Sequence, residues 1–202
     1  MPRPALTAEQ RRAIRRNIRE AAAKLHAEKG LSNVSARAVA ELAGVSVGTV
    51  YSHFGSLSEL LQSLWRQPAR KLVQHLSQLA QDISDPVEQL QALLRAYVQF
   101  SVDQPEVFRS AFLFVRPESV PPPKQIALNK DRFFQLFATA IASGQATGRF
   151  RQGEASELAQ LTLSAVHGAL AMPINMHRLA LREGTSTAEQ AIDAQLQWLQ
   201  TR

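Results

Sequence analysis

The stretch that decides the fold is "VSVGTVYSHF", residues 45–54. Val50 and Phe54 are four residues apart, so they share one face of a helix and are predicted to point into a core. The outward arc has no acid, and it is formed by Val47, Gly48, Thr49, Tyr51, Ser52 and His53. A carboxylate there would repel a polyanion, whereas hydroxyl and imidazole groups can donate hydrogen bonds to one. The stretch therefore predicts a helix that contacts phosphate oxygens or base edges, with an apolar contact from Val47 and close backbone approach at Gly48.

The residues before this helix predict a second helix and a tight turn. Ser35 is a good N-cap for "ARAVAELA", in which Val39 and Leu42 make an apolar edge. Gly44 can adopt a positive φ in the turn, and Ser46 can cap the helix that follows. Helix, tight turn and helix make the helix-turn-helix arrangement, whose second helix lies in the major groove of DNA.

A first helix over about residues 10–29 completes the N-terminal region. Its apolar positions recur at helical spacing, and Gly30 follows as a stop signal. Residues 1–66 contain ten Lys or Arg and five acids, whereas residues 67–202 contain thirteen and twelve, so the net charge of +6 is concentrated at the N-terminus. A polyanionic partner and a solvated basic helix face explain this charge equally well when it is taken alone.

Composition sets the broad class of protein. The chain has 202 residues, of which 45% are hydrophobic and none is cysteine, so disulfides and thiolate metal sites are excluded. The N-terminal residues lack the apolar core of a signal peptide, and no run approaches the roughly 18 apolar residues of a membrane span. We expect a soluble, cytoplasmic protein.

Pro68 is the predicted point of division. It lies inside an otherwise continuous fourth helix, which it should kink or break at about residues 64–68. We therefore predict a DNA-binding domain over 1–66 and a second helical domain over 67–202. The helices predicted beyond this point cover about 70–82, 86–103, 105–115, 122–147, 154–181 and 185–200.

The second domain carries little chemistry. It lacks hydrolase motifs, zinc-protease motifs and a Gly-rich phosphate loop, and His167 and His177 have no clustered carboxylate or thiolate to complete a metal site. We therefore expect no catalytic residues, no metal and no cofactor. It is rich in apolar side chains that suit either a plain core or a small-molecule pocket, and the pocket candidates are Phe100, Phe112, Phe133, Phe137, His167, Met172 and Met176.

Residues 19–65 resemble the DNA-binding region of the TetR family of transcriptional regulators, through a pattern written "AGVS-x-GT-x-Y-x-HF". The resemblance implies that Tyr51 and His53 hold the phosphate backbone, with Thr49 and Val47 near bases or backbone. The sequence departs from the family pattern at Leu57, a position where the family often has a phosphate-binding Lys.

The same resemblance implies roles for two residues of the preceding helix. Ser35 would bind a phosphate at the start of that helix. Arg37 occupies a position where some members of the family place a residue that reads a base.

The resemblance also implies an all-α architecture, with a three-helix helix-turn-helix domain and a C-terminal helical domain that binds a ligand and dimerises. The dimer would form through the helices at 154–181 and 185–200. The resulting hypothesis is a homodimeric repressor that binds a palindromic operator in double-stranded DNA and is released by a small apolar or amphipathic effector. The alternative is an activator or a nucleoid-type DNA-binding protein without such a ligand; an enzyme is the third reading and lacks any constellation of catalytic groups.

Overall fold

The computed structural model describes residues 7–30, 34–113 and 125–200. Within these ranges the chain forms α-helices and no strand, as predicted. None of the described helices is both long enough and apolar enough to cross a membrane. The helices are α1 (Ala8–Lys29), α2 (Ala36–Ala43), α3 (Val47–Phe54), α4 (Leu57–Asp82), α5 (Pro86–Asp103), α6 (Pro105–Phe112), α7 (Arg132–Ala146), α8 (Ala155–Asn175) and α9 (Gly184–Gln200).

The chain divides into two compact units, Met1–Pro68 and Ala69–Arg202. The predicted division, after residue 66, lies two residues from this boundary. Each unit has its own cluster of buried apolar side chains.

The helix ends of the first unit follow the predicted capping residues. The Ser35 and Ser46 hydroxyl oxygens accept hydrogen bonds from the backbone N–H groups of Ala38 and Thr49, at 3.2 and 3.0 Å. Gly44 has φ 65° and ψ 32°, the left-handed conformation that the tight turn requires. The predicted helix-turn-helix is therefore confirmed, with α2 and α3 as its two helices.

The core of the first unit is formed by the inner faces of α1, α2 and α3 with the start of α4. Val50 and Phe54 are fully buried, as their spacing predicts. Leu42 is 43% exposed, so its assignment to the apolar edge of α2 is wrong. The buried face of α2 instead consists of small residues at helical spacing, Ala36, Val39, Ala40 and Ala43, because the short α2 packs close to α1.

Pro68 does not break the fourth helix. α4 runs unbroken from Leu57 to Asp82 with Pro68 inside it. A proline in a helix interior costs about 3 kcal/mol, because one backbone hydrogen bond is lost and its ring crowds the preceding turn. Buried leucines on both sides, Leu60 before it and Leu76 after it, hold the two halves helical.

The second unit packs α5, α7, α8 and α9 around a continuous apolar core. Asp85, Asp131 and Glu154 cap α5, α7 and α8 with side-chain oxygens that accept from backbone N–H groups. Two predicted helix bounds are wrong for local reasons. The first helical residue of α7 is Arg132, because Asp131 caps it, and the residues just before it, Leu128–Lys130, form a 3-10 turn. The predicted helix over 154–181 ends at Asn175, because Met176 adopts φ −118° and ψ 51°, which lie outside the helical region.

The third helix bound that differs is at α6. α6 ends at Phe112, three residues before the predicted end at residue 115. Residues 114–124, which include the predicted start of the helix over 122–147, lie outside the described residues.

Candidate nucleic-acid interface and aromatic cluster

α3 has two faces of opposite character. Its buried face consists of Val50 and Phe54. Val47, Gly48, Tyr51 and Ser52 are exposed, and Thr49 and His53 are half-buried. None of the eight residues of α3 is acidic. The structure therefore brings the α3 residues predicted to bind DNA onto one surface of one short helix.

The capping hydroxyls at the start of α3 keep a free donor. The Ser46 oxygen accepts from the Thr49 backbone, and the two side-chain oxygens of Ser46 and Thr49 lie 2.8 Å apart. One hydroxyl proton is shared between them, so the other can donate to an anion. Ser52 differs, because its hydroxyl already donates to the Thr49 carbonyl at 2.9 Å.

Ser35 and Arg37 lie at the start of α2, and both are exposed. As an N-cap, Ser35 uses its oxygen to accept from Ala38, and its hydroxyl proton remains available to a phosphate. The N-terminal end of a helix also favours an anion, because its first backbone N–H groups are unpaired.

Gly48 has room for a side chain. A Cβ atom built on it would meet only the Ser46 hydroxyl oxygen, at 3.6 Å, which is an ordinary van der Waals distance. Packing within the described part of the chain therefore gives no reason for a glycine in this helix, where glycine is less favourable than alanine by about 1 kcal/mol. A partner molecule that closely approaches the backbone of α3 would explain why a glycine occupies this position.

Two residues of α1 that the sequence did not single out for a role hold the helix-turn-helix in place. The Arg15 guanidinium lies 4.0 Å from the centre of the Phe54 ring and donates to the His53 carbonyl at the end of α3. The Asn17 amide donates to the Ala43 carbonyl at the end of α2, at 2.8 Å. In the sequence, Arg15 is one of the ten basic residues of the N-terminal region. Its contact with α3 could not be predicted from local spacing, because its partner is 38 positions away.

The second unit brings aromatic rings from four helices together. Tyr97 of α5 is the centre, with Phe108, Phe112, Phe133 and His167 at ring-centre distances of 5.4–6.4 Å. Phe100 and Phe137 join this aromatic cluster through Phe112 and Phe133. Five of the seven pocket candidates thus meet: Phe100, Phe112, Phe133, Phe137 and His167.

The other two pocket candidates do not join the aromatic cluster. Met172 and Met176 are 48% and 42% exposed, and Met176 lies beyond the end of α8. Tyr97, the centre of the cluster, was not among the candidates. Its position in "AYVQF" places it three residues before Phe100 on α5, and that spacing is the signal that could have identified it.

The polar pair of the cluster is Tyr97 with His167. The Tyr97 hydroxyl and His167 Nδ1 lie 2.8 Å apart. Burial raises the pKa of Tyr97, which is 2% exposed, and burial also lowers the pKa of His167. Both groups are therefore held in their uncharged forms near neutral pH.

The described residues contain no group of three or more His, Asp or Glu side chains that could hold a metal ion. Charged pairs of the second unit lie at its surface, as between Arg149 and Asp85 at 2.9 Å. Hydrogen bonds from the backbone N–H groups of Glu88 and Val87, together with Arg149, lower the pKa of Asp85, which caps α5.

Helix-turn-helix geometry in the first unit, together with a second unit whose described elements are helices, is typical of a class of DNA-binding regulators. Residues 18–64 match the family of bacterial regulatory proteins known as the tetR family. Residues 90–197, more than half of the chain, match the tetracyclin repressor-like C-terminal domain. The chain belongs to the TetR family, as the sequence resemblance predicted.

A curated relative agrees with this assignment. The chain is 32% identical over 89 residues to an HTH-type transcriptional regulator of Staphylococcus aureus, a match that covers 44% of this chain and 48% of that protein. It therefore spans about half the length of this curated relative.

Two solved structures share the fold and were determined with ligands. Thermus thermophilus FadR, a TetR family transcriptional repressor in complex with lauroyl-CoA, has a TM-score of 0.67 at 18% identity and covers 93% of this chain and 96% of its own. RolR in complex with resorcinol has a TM-score of 0.65 at 20% identity and covers 97% and 92%. At these identities the likeness concerns the fold.

Proposed function

We propose that this protein is a ligand-responsive, dimeric transcriptional repressor that binds a palindromic operator. The observation that carries the proposal is the outward, acid-free face of α3, which presents Tyr51, Thr49 and His53 near the capping hydroxyl of Ser46. In this proposal Tyr51 and His53 hold phosphates, Val47 and Gly48 lie against the duplex, and Ser35 and Arg37 contact it from the start of α2. A chromosomal partner of this kind requires a cytoplasmic protein.

The second copy is needed because one helix-turn-helix reads only a few base pairs. We propose the outer face of α8 as the dimer interface. Leu161, Gly168 and Met172 lie on this side of the helix, because they are spaced by seven and four residues. Leu161 is 56% exposed, and a Cβ on Gly168 would meet nothing within 4 Å. An exposed leucine on the same side of a helix as a glycine with free space around it suits close packing against another helix.

The effector site is proposed at the aromatic cluster. FadR and RolR were each determined with a small organic ligand, and their fold is that of this chain. A ligand shifts an equilibrium only by its difference in affinity for two states. We infer that an apolar or amphipathic effector lowers operator affinity by about 5- to 150-fold, the usual range of coupling between sites.

The test is selection of bound sequences from a pool of random duplex DNA. A palindrome is expected, with half-site centres one helical turn apart, about 34–36 Å, or a multiple of that distance. Recovery of duplexes without any shared sequence would favour the alternative, a nucleoid-type protein. A reporter gene under the selected site then separates repression from activation.

Variants of the interface sharpen this test. Tyr51→Phe and His53→Ala should weaken binding to selected and random duplexes by similar factors, because phosphate contacts carry no sequence information. Arg37→Ala should instead relax the preference at one base pair. Unchanged DNA affinity in both Tyr51→Phe and His53→Ala would contradict the proposed docking.

A further inference from the structure

The Tyr97–His167 pair has hydrogen-bonding capacity left over. A neutral imidazole has one donor and one acceptor nitrogen, and a phenol can donate once and accept. If the Tyr97 hydroxyl donates to Nδ1, the pair keeps the Tyr97 oxygen as acceptor and Nε2–H as donor. If Nδ1–H donates instead, the pair keeps the Tyr97 O–H as donor and Nε2 as acceptor. Within the described residues the imidazole makes this one hydrogen bond. In both arrangements one donor and one acceptor remain.

A hydroxyl group on a ligand matches the remaining donor and acceptor of the pair, because a hydroxyl group can also donate one hydrogen bond and accept one. A carboxylate only accepts, so it would leave one of the two groups of the pair unmatched. An ammonium group only donates and has the same defect. Tautomer exchange at His167 lets the pair match either orientation of a bound hydroxyl.

The described aromatic rings around the pair are uncharged. The described rings that touch Tyr97, apart from His167, belong to Phe108, Phe112 and Phe133. The charged residues of α6, Glu106 and Arg109, are exposed and pair with each other at 2.7 Å. Transfer of an ionised ligand group to the cluster would be strongly unfavourable without a counter-ion.

The rings of the cluster meet one another in both edge-to-face and stacked pairs. Tyr97 meets Phe112 edge to face at 5.4 Å, and Phe108 stacks on Phe112 at 5.7 Å. Phe112, Phe133 and His167 are half-buried, whereas Tyr97 is almost fully buried. Three rings of the cluster thus keep part of their surface exposed, whereas Tyr97 does not. Planar aromatic molecules gain both stacking and edge-to-face contacts in such a setting.

We propose that the aromatic cluster binds an uncharged aromatic molecule that carries a hydroxyl group, with the hydroxyl bound by the Tyr97–His167 pair and the ring among Phe108, Phe112 and Phe133. The inference rests on the proposed function, in which this cluster is the effector site. It specifies the chemical class of that effector. His167 and Tyr97 determine specificity, and the phenylalanines supply apolar contact.

Three probes of the same ring size test the proposal: phenol, toluene and benzoate. Each is titrated calorimetrically into the full-length protein at pH 7.5 without DNA. Phenol should bind at least about tenfold more tightly than toluene, which lacks the hydroxyl, and than benzoate, which is charged. Equal affinities for phenol and toluene, tighter binding of benzoate, or no binding of phenol at millimolar concentration would overturn the proposal.

Variants assign the discrimination to the pair. Tyr97→Phe should lower phenol affinity to that of toluene while toluene affinity stays within about twofold. His167→Phe should do the same, and His167→Gln, which keeps a donor and an acceptor, should retain part of the preference for phenol. The matched control is His75→Phe, which replaces an exposed histidine of α4 outside the cluster and should leave phenol binding unchanged. Retention of the full preference in both Tyr97→Phe and His167→Phe would overturn the assignment.

The outcome is independent of the DNA experiment. Since the titration contains no DNA, a failure there removes the ligand class and leaves operator binding as it stands. Failure to select an operator removes the repressor proposal and leaves the measured preference for phenol intact.

Discussion

The side-chain amide of Asn17 donates to the carbonyl oxygen of Ala43 at 2.8 Å, and so α1 satisfies the last residue of α2. Carbonyl groups at the end of a helix have no partner within the helix. Asn17→Ala should therefore lower the free energy of unfolding by about 1–2 kcal/mol, since a part-buried acceptor loses its donor. Urea unfolding of the full-length protein measures this. The control, Gln62→Ala on the exposed side of α4, should change stability by no more than about 0.5 kcal/mol; equal effects of the two changes would exclude a special role for Asn17.

Arg15 is predicted to position α3 through its guanidinium rather than through its charge alone. It stacks on Phe54 and donates to the His53 carbonyl. Lysine keeps the charge but lacks the planar group that stacks and donates at once. Arg15→Lys should lower affinity for the selected duplex severalfold, measured by fluorescence anisotropy, whereas Arg16→Lys, at the exposed neighbouring position, should lower it by less than twofold. Similar losses in both would show that only charge matters.

Gly48 separates the needs of the fold from those of DNA binding. Gly48→Ala should leave stability unchanged or raise it by up to about 1 kcal/mol, because a Cβ fits there and alanine favours helix. The same change should lower DNA affinity by about tenfold or more if the duplex approaches the backbone of α3. Gly144→Ala is the contrast, because its Cβ would overlap the Phe150 ring and the variant should be destabilised. Full DNA affinity in Gly48→Ala would place the duplex away from this residue.

The sequence predicted the first unit well because its signals are local. The capping residues Ser35 and Ser46, the turn at Gly44 and the buried pair Val50 and Phe54 each act within four or five positions. The predicted break at Pro68 was wrong because its outcome depends on packing beyond the local sequence. Leucines on either side of Pro68 are buried, and their packing keeps α4 helical through it.

Site residues whose partners are distant could not be read from local patterns. Tyr97 and His167 are 70 positions apart, and Arg15 and the His53 carbonyl are 38 apart. Met172 follows the helical spacing of α8 but lies on its exposed side. Helical period gives the spacing of a face and leaves open which face the rest of the fold covers.

The proposed dimer can be tested at Leu161. Leu161→Lys places a charge in the proposed interface and should convert the dimer to monomer at about 10 μM protein, because an unpaired charge is costly to bury. Sedimentation velocity measures the change. Val102→Lys is the matched control, since Val102 is 51% exposed on α5 and outside the proposed surface; it should leave the dimer intact. A wild-type protein that sediments as a monomer, or dimers in both variants, would rule out the α8 surface.

Tyr97 and His167 should together set the pH range of greatest stability. Burial raises the pKa of Tyr97, so above the ordinary tyrosine pKa of about 10 the unfolded chain releases a proton that the folded protein keeps, and stability falls as pH rises. Burial lowers the pKa of His167, so below the ordinary histidine pKa of about 6.5 the unfolded chain binds a proton that the folded protein resists, and stability falls as pH decreases. The rings that face Tyr97 on α6 and α7 are uncharged phenylalanines, so no described neighbour offsets either effect.

Tyr97→Phe should make the alkaline loss of stability shallower, and His167→Phe should make the acid loss shallower, in urea unfolding measured from pH 5 to 11. The control Tyr51→Phe should retain the wild-type slope, and a Tyr97→Phe variant with that same alkaline slope would show that the Tyr97 hydroxyl is not held in its neutral form by the fold.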